Sequence, residues 1–376
     1  MKKKLLVIGK SLGGGGSEVT MIEFLNHINL LKYDVTLLLL DHDDEYKNRL
    51  KSKVKVEYIN FDKKYYHRLV SMYSLVGKII KKLKLNNSLN IYNFVVKHIR
   101  LSESVSYDIA LDFYGYGSFT TEVLAKVINS KKKATWLHDA YMPWLKNTSD
   151  SLKYIDYVFC VSESVKKSFI KKYPKYKDNA KVLYNFIDKR EIIKKANQEY
   201  DIELERGILN ILTVGRLTEQ KGYDVAIQAA KYLMEKKINF KWYAIGEGKK
   251  RKELEKEIRK ANLEKVFILL GRRDNPYIYM KNCDIYVQPS RHEGYCTTIT
   301  EALTIDKVVI ASNIPENQEQ IINNKTGLLV DLDAQKIAKK IIKIKNDKKL
   351  RLGIEKRLMH IKNKSNTNVD VVNTLF

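Results

Sequence analysis

The chain has 376 residues, 44% of them hydrophobic, which is too long for one ordinary core and too apolar for default disorder, so two domains of similar size are expected. Its 69 Lys and Arg against 44 Asp and Glu leave a net +25. Such a balance favours anionic partners without choosing among phosphorylated small molecules, nucleic acid and lipid headgroups, and lysine richness also arises from genome bias alone.

The N-terminus reads Met1-Lys2-Lys3-Lys4 and then Leu5 to Gly9. The start is basic, like a signal region, but the apolar run stops too soon, and a buried first strand is predicted. No stretch approaches the ~20 apolar residues of a membrane span, so a soluble or surface-bound protein is expected. Further strands are predicted at Val35–Leu40, Asp108–Asp112, Ala134–Leu137 and Tyr157–Val161. Stretches of helical spacing lie between them, so a parallel sheet covered on both faces follows.

The pattern restarts at Asn210–Val214. A helix over Asp224–Lys237, a strand at Phe240–Ile245 and a charged helix over Lys249–Ala261 follow. Val266–Leu269, Ile285–Gln288 and Val308–Ala311 read as strands. The expected division is an N-terminal Rossmann-like domain 1–190, a linker 191–207, a C-terminal Rossmann-like domain 208–360, and a segment 361–376 that returns to the first domain. The cysteines Cys160, Cys283 and Cys296 are scattered and odd in number, which argues against a disulfide framework or a zinc site and for a reducing compartment.

Three loops carry candidate chemistry. The first is Ser11 to Glu18, where Gly13 to Gly16 separate a strand from a helix with Ser17 as its candidate N-cap. Glycines let a backbone approach phosphate, and helix N-terminal amides favour anions, although the same run serves as a plain flexible turn. The second is Gly215-Arg216-Leu217-Thr218-Glu219-Gln220-Lys221-Gly222. It sets Arg216 and Lys221 at the carboxyl end of a parallel sheet, where two cations would neutralise a diphosphate and stabilise it as a leaving group. Gly246 ends the next strand and is expected to approach the same pocket.

The third loop runs from Pro289 to Glu301, with Glu293 and Glu301 separated by seven residues. With a helix starting near Thr298, Glu293 lies in the loop and Glu301 in the first helical turn. Carboxylates accept hydrogen bonds from hydroxyl pairs, as on a sugar ring or a ribose. The amides from Gly294 through Tyr295 and Cys296 to Thr297 would hold phosphate or sugar oxygens. A competing account makes Thr298-Ile299-Thr300-Glu301 a capping box.

Order and spacing of the Gly-Arg-x5-Gly loop and the Glu-x7-Glu element resemble the retaining glycosyltransferases of family 4, with the α/β GT-B fold of two Rossmann-like doubly wound parallel-sheet domains facing across a cleft. The resemblance implies that Glu293 meets the donor sugar and Glu301 the nucleoside ribose. It matches Arg216 and Lys221 to the diphosphate, Gly15 and Gly16 to the N-domain glycine turn, and His138 to the histidine that faces the reacting sugar. It implies transfer of a hexose-type sugar from a nucleotide-sugar (a UDP-sugar favoured) to a glycan or lipid-linked saccharide. The implied setting is cytoplasmic, in surface polysaccharide biosynthesis. No metal or other cofactor is expected, because the two cations replace it.

Val161-Ser162-Glu163-Ser164 resembles a strand end and helix cap of that family, and Phe186 stands where its interdomain segment usually has glycine. Cys296 stands where glycine or proline is common; it narrows the sugar pocket or is a small buried residue. The segment 65–100 is rich in Lys, Tyr and bulky apolar residues, as suits either an anionic membrane surface or an ordinary helix with a solvated face. The Asp112–Gly117 stretch would line the acceptor side or form a simple aromatic loop. Rival readings are a nucleotide-sugar epimerase on the same fold, a basic nucleic-acid-binding protein, and a catalytically dead subunit. No nucleic-acid module is recognised, and no nucleic-acid partner is expected.

Overall fold

The computed structural model describes residues 2–13, 16–51, 53–59, 105–115, 118–199 and 204–362, together with 68, 96, 97 and 99. The chain divides into two compact units, the first ending at Phe186 and the second beginning at Ile187.

In the first unit Leu5, Leu6, Val7 and Ile8 are all buried. A continuous apolar run is what a central parallel strand needs when both faces are covered. The strand β1 (Lys3–Gly9) accordingly pairs in parallel with β2 (Tyr33–Leu39) on one side and β4 (Tyr107–Asp112) on the other. With β3 (Lys55–Tyr58), β5 (Ser130–Leu137), β6 (Tyr157–Cys160) and β7 (Ala180–Val182), the described sheet has the order β3-β2-β1-β4-β5-β6-β7. The expected strands are present. The edge strands β3 and β7 were not expected, being short and carrying Lys55 and Lys181, so neither shows an apolar run.

Helix α1 (Gly16–His27) follows β1 and turns Met21, Ile22, Phe24 and Leu25 into the core. It starts at Gly16, so Ser17 lies inside it and is not its N-cap; the Ser17 hydroxyl donates to Glu18 at 2.9 Å. Helix α2 (Phe119–Lys126) follows β4, and α3 (Glu163–Lys172) follows β6. Ser162 caps α3, accepting from the Val165 amide at 3.1 Å.

The second unit repeats the plan. Its strands are β8 (Leu209–Val214), β9 (Phe240–Ile245), β10 (Phe267–Gly271), β11 (Ile285–Gln288), β12 (Val309–Ser312) and β13 (Leu328–Val330), in the parallel order β10-β9-β8-β11-β12-β13. Successive strand residues point to opposite faces, so one sheet feeds two cores. Ile211, Trp242, Ile285, Val287 and Ile310 lie in one cluster; Leu212, Tyr243, Tyr286, Val309 and Ala311 lie in the other. Each fully buried Leu, Ile or Val contributes about 1.5–3 kcal/mol, which explains why these strands are legible as plain apolar runs.

The expected linker 191–207 begins inside a helix instead. Helix α4 (Lys189–Ala196) is capped by Asp188, whose carboxylate accepts from the Arg190 and Glu191 amides at 2.9 and 3.0 Å. Its charges face solvent while Ile192 and Ala196 are buried, so a polar composition concealed an amphipathic element. The second unit therefore starts earlier than residue 208. It continues through α5 (Tyr223–Glu235), α6 (Arg251–Lys260), α7 (Pro276–Asn282), α8 (Thr297–Thr304), α9 (Pro315–Gln318), α10 (Ala334–Asn346) and α11 (Lys348–Lys362). The return of 361–376 to the first domain concerns, from 363 on, residues outside those described. Most of the basic segment 65–100 lies outside them too. Among the described residues no helix is long and apolar enough to cross a membrane.

Candidate active site

In the second sheet the connection direction reverses between β8 and β11. Loops leaving the carboxyl ends of two such strands diverge and open a crevice, the usual ligand site of doubly wound sheets. The loop after β8 carries Arg216 and Lys221, and the loop after β11 carries Glu293.

The two loops meet closely. Lys221 Nζ donates to Glu293 Oε1 at 2.6 Å, with side-chain exposures of 13% and 6%. Ser290 Oγ donates to the same Oε1 at 2.5 Å, and Gln288 Nε2 donates to Ser290 Oγ at 2.9 Å. Gln288 Oε1 in turn accepts from Tyr286 at 2.6 Å and from Thr298 at 3.2 Å. One carboxylate oxygen of Glu293 is thus held both by Lys221 from the loop after β8 and by a hydrogen-bonded chain rooted in β11. Burial alone would favour the neutral amine of Lys221, but the Glu293 carboxylate outweighs this and raises the Lys221 pKa, so the residue is an ammonium.

Arg216 is exposed, and among the described residues its guanidinium has no hydrogen-bond or ion-pair partner. Gly222 takes φ +65°, and a Cβ there would collide with the Pro289 carbonyl oxygen, so only glycine lets the two loops close up. Gly246 lies under the same loop, and a Cβ on it would strike the Gly215 carbonyl oxygen. Its visible role is to let backbones pack.

Helix α8 begins at Thr297 with Cys296 in the N-cap position and no side-chain cap bond. Glu301 is therefore the fifth helical residue, in the second turn and not the first. The capping-box account fails for the same reason, since a box needs its acid at the third helical position. The Glu301 carboxyl interacts instead with the Thr297 hydroxyl, and burial pushes it up to about 7, against the opposing pull of Lys221. Gly294 is buried, and Thr300 donates to the Tyr295 hydroxyl at 3.3 Å. The Cys296 thiol packs in the core near Tyr286 and Ile299, and burial pushes it up to about 12. A thiol held that far from ionisation is a small core group and no nucleophile.

In the first unit His138 follows β5 and sits against Phe113 and Trp136 at ring separations of 4.7 and 5.2 Å. Burial pushes its pKa down to about 4, although the Phe113 backbone and the Asn185 side chain favour the protonated form. With its pKa so lowered the ring is neutral at neutral pH. Asp139 accepts from the Tyr141 amide at 2.8 Å. Phe186 stacks on His27 at 3.9 Å, a role no glycine could fill. Gly16 is exposed at the start of α1, whereas Gly15 lies outside the described residues, as do Tyr116 and Gly117.

The structure thus brings Lys221, Glu293, Ser290 and Cys296 together, places Arg216 beside Lys221, and sets Glu301 one helical turn beyond Thr297. Sequence reasoning passed over Ser290 and Gln288. Their signal was a serine three residues before the glutamate, just past a strand end. Arg291 also went without a role. Its guanidinium forks onto Asp224 at 2.9 and 2.6 Å and reaches the Glu219 carbonyl oxygen at 2.7 Å.

Comparison with known proteins is consistent with this geometry. Residues 196–363 match the family described as Glycosyl transferases group 1. A Campylobacter jejuni protein named N-acetylgalactosamine-N,N'-diacetylbacillosaminyl-diphospho-undecaprenol 4-alpha-N-acetylgalactosaminyltransferase is 25% identical over 345 residues, covering 88% of this chain and 87% of that protein. The Staphylococcus aureus capsular polysaccharide biosynthesis glycosyltransferase CapM is 30% identical over 146 residues, 37% of each chain. Among solved structures, Anabaena HepE in complex with UDP and glucose superposes with TM-score 0.71 at 19% identity, over 99% of this chain and 98% of that one. Staphylococcus aureus TarM, in a complex with UDP, gives TM-score 0.73 at 15% identity over 99% of both. The family match thus falls within the second unit, and the chain has the GT-B fold of the solved glycosyltransferases it resembles.

Proposed function

We propose that this enzyme is a retaining transferase that moves a hexose-type sugar from a UDP-sugar to a glycan or lipid-linked saccharide during surface polysaccharide assembly. The observation that carries the reading is the Lys221–Glu293 pair at the strand reversal, 2.6 Å apart and largely buried. Lys221 and Arg216 supply positive charge for the diphosphate. Glu293 has Oε1 committed to Lys221 and Ser290, which leaves Oε2 to accept from a sugar hydroxyl. Glu301 accepts from the ribose hydroxyls.

The reaction is a same-face substitution. The bond from the anomeric carbon to the diphosphate oxygen breaks, and Lys221 and Arg216 stabilise the charge gathering there. The acceptor hydroxyl oxygen bonds the anomeric carbon on the same face and hands its proton to the departing phosphate oxygen. His138, neutral, positions the sugar through a hydrogen bond. The donor base and the acceptor class take support from relatives: the C. jejuni protein is named for a diphospho-undecaprenol acceptor, CapM for capsule biosynthesis, and HepE binds UDP and glucose. The net charge of +25 and the basic segment 65–100 support a peripheral position on the cytoplasmic face of an anionic membrane.

The test is a panel of UDP-, GDP- and dTDP-sugars, scored first by thermal stabilisation and then by transfer. A UDP-sugar is expected to stabilise the protein most, and the product's anomeric proton coupling should match the donor's. Inverted configuration would end the same-face mechanism, and indifference to every donor would end the donor-site reading. Sedimentation with vesicles containing phosphatidylglycerol at low salt checks the membrane part.

A further inference from the structure

Two charged groups define the donor site, and they come from different loops. The Gly215–Gly222 loop follows β8 and the Pro289–Glu293 loop follows β11, so the placement of one loop against the other sets the distance between the two groups. Direct contact between Lys221 and Glu293 does not suffice to fix that placement, because it joins only the ends of two side chains and does not bind one loop backbone to the other.

A second set of contacts joins the same loops outside the site. Arg291 donates to both carboxylate oxygens of Asp224, at 2.9 and 2.6 Å, and Asp224 lies in the first turn of α5, just after Lys221 and Gly222. The Arg291 guanidinium also donates to the Glu219 carbonyl oxygen at 2.7 Å. The Arg291 amide donates to the Gln220 carbonyl oxygen at 2.8 Å, and Gln220 Nε2 donates to the His292 carbonyl oxygen at 3.0 Å. Gly222, pressed on the Pro289 carbonyl, closes the seam from below. Every residue from Glu219 to Asp224 except the glycine and tyrosine between them either is Lys221 or bonds Arg291 or its neighbour. A forked guanidinium–carboxylate pair fixes orientation as well as distance, which a lysine in the same place could not do.

We propose that Arg291 and Asp224 form a positioning clamp that locks the two loops into one body, so that Lys221 and Glu293 stand ready before the donor arrives. This rests on the donor-site reading above. The clamp is not a stability device. Its members are 32% and 43% exposed, and pairs so exposed contribute little to folding. Its effect lies in geometry, where a displacement of about 1 Å at reacting groups can cost 10²-fold in rate.

The test compares Arg291→Ala, Asp224→Asn and the double variant with wild type. Hydrogen–deuterium exchange of the ligand-free proteins is read over 215–222 and 289–293, and UDP, GDP and dTDP are titrated in parallel. Both single variants are expected to exchange faster in these two stretches alone, with little change in Tm. Nucleotide affinity should fall about tenfold in each single variant and no further in the double, because the two side chains act as one unit. With a donor that turns over, KM should rise together with a fall in kcat. Wild-type exchange in Arg291→Ala, additive losses in the double variant, or binding losses that merely follow a lowered Tm would overturn the clamp. Asp224→Asn keeps size and part of the hydrogen bonding, so it guards against misfolding of the alanine variant. Should wild type bind none of the three nucleotides, the donor reading fails while the exchange comparison still decides the clamp.

Discussion

Lys221 and Glu293 are 72 residues apart in sequence, yet their side chains share a 2.6 Å hydrogen bond at the reversal point of the second sheet. The pair is mostly buried, so removing one partner strands the other's charge. Lys221→Met is expected to destabilise the protein by about 3 kcal/mol in urea unfolding, since breaking a buried pair from one side is costly. The double variant Lys221→Met with Glu293→Gln should recover most of that stability but no nucleotide binding. Recovery of both would show that the pair serves the fold alone.

Ser290 donates to the same oxygen of Glu293 as Lys221 does. Ser290→Ala removes one hydrogen bond to a charged group, an effect of about 1.5–3 kcal/mol. The loss should appear more in kcat/KM than in Tm, because Lys221 still neutralises the carboxylate. Steady-state kinetics beside calorimetry checks this.

Glu301 titrates near 7 in the ligand-free protein because burial disfavours its charge. A carboxylate accepts two hydroxyl hydrogen bonds, whereas a protonated carboxyl gives up part of that capacity. UDP affinity should therefore weaken as pH falls through about 7, approaching tenfold per unit below it, and the slope should vanish in Glu301→Gln. The effect on folding has the opposite sense. A raised carboxyl pKa means that the native state holds the proton over a range where the unfolded state has lost it, so this group's contribution falls as pH rises from about 4.5 to about 7. Above that window Glu301→Gln should melt higher than wild type.

His138 is held near a pKa of about 4 by burial. Here the unfolded chain takes up the proton first, so stability is full above about 6.5 and is lost progressively as pH falls toward 4. Its share is on the order of 1–3 kcal/mol at neutral pH, from the size of the shift. Urea unfolding at pH 5 and pH 7 should show this difference shrinking in His138→Gln. The pH–rate profile of the wild type should have no limb from His138 between pH 5 and 8.

The order of apolar runs was enough to establish two parallel-sheet units, because a strand buried on both faces is apolar over most of its length, as Leu5–Ile8 is. The positions of Arg216, Lys221 and Glu293 also followed, since loops after such strands lead to the ligand crevice. Short edge strands such as Ala180–Val182 were invisible, because an exposed edge places no demand on composition. Whether Glu301 capped a helix could not be read from Thr298 and its spacing, for α8 starts one residue earlier, at Thr297, with no side-chain cap to mark it. The charge state of His138 and Glu301 was beyond the sequence altogether, because it is set by burial among residues distant in the chain. The tertiary structure alone decided that Ser290 and Lys221 grip one oxygen of Glu293 and that Arg291 reaches Asp224. Hydrogen bonds between loops have no periodicity to betray them, and they exist only once the sheet has brought the two strand ends side by side.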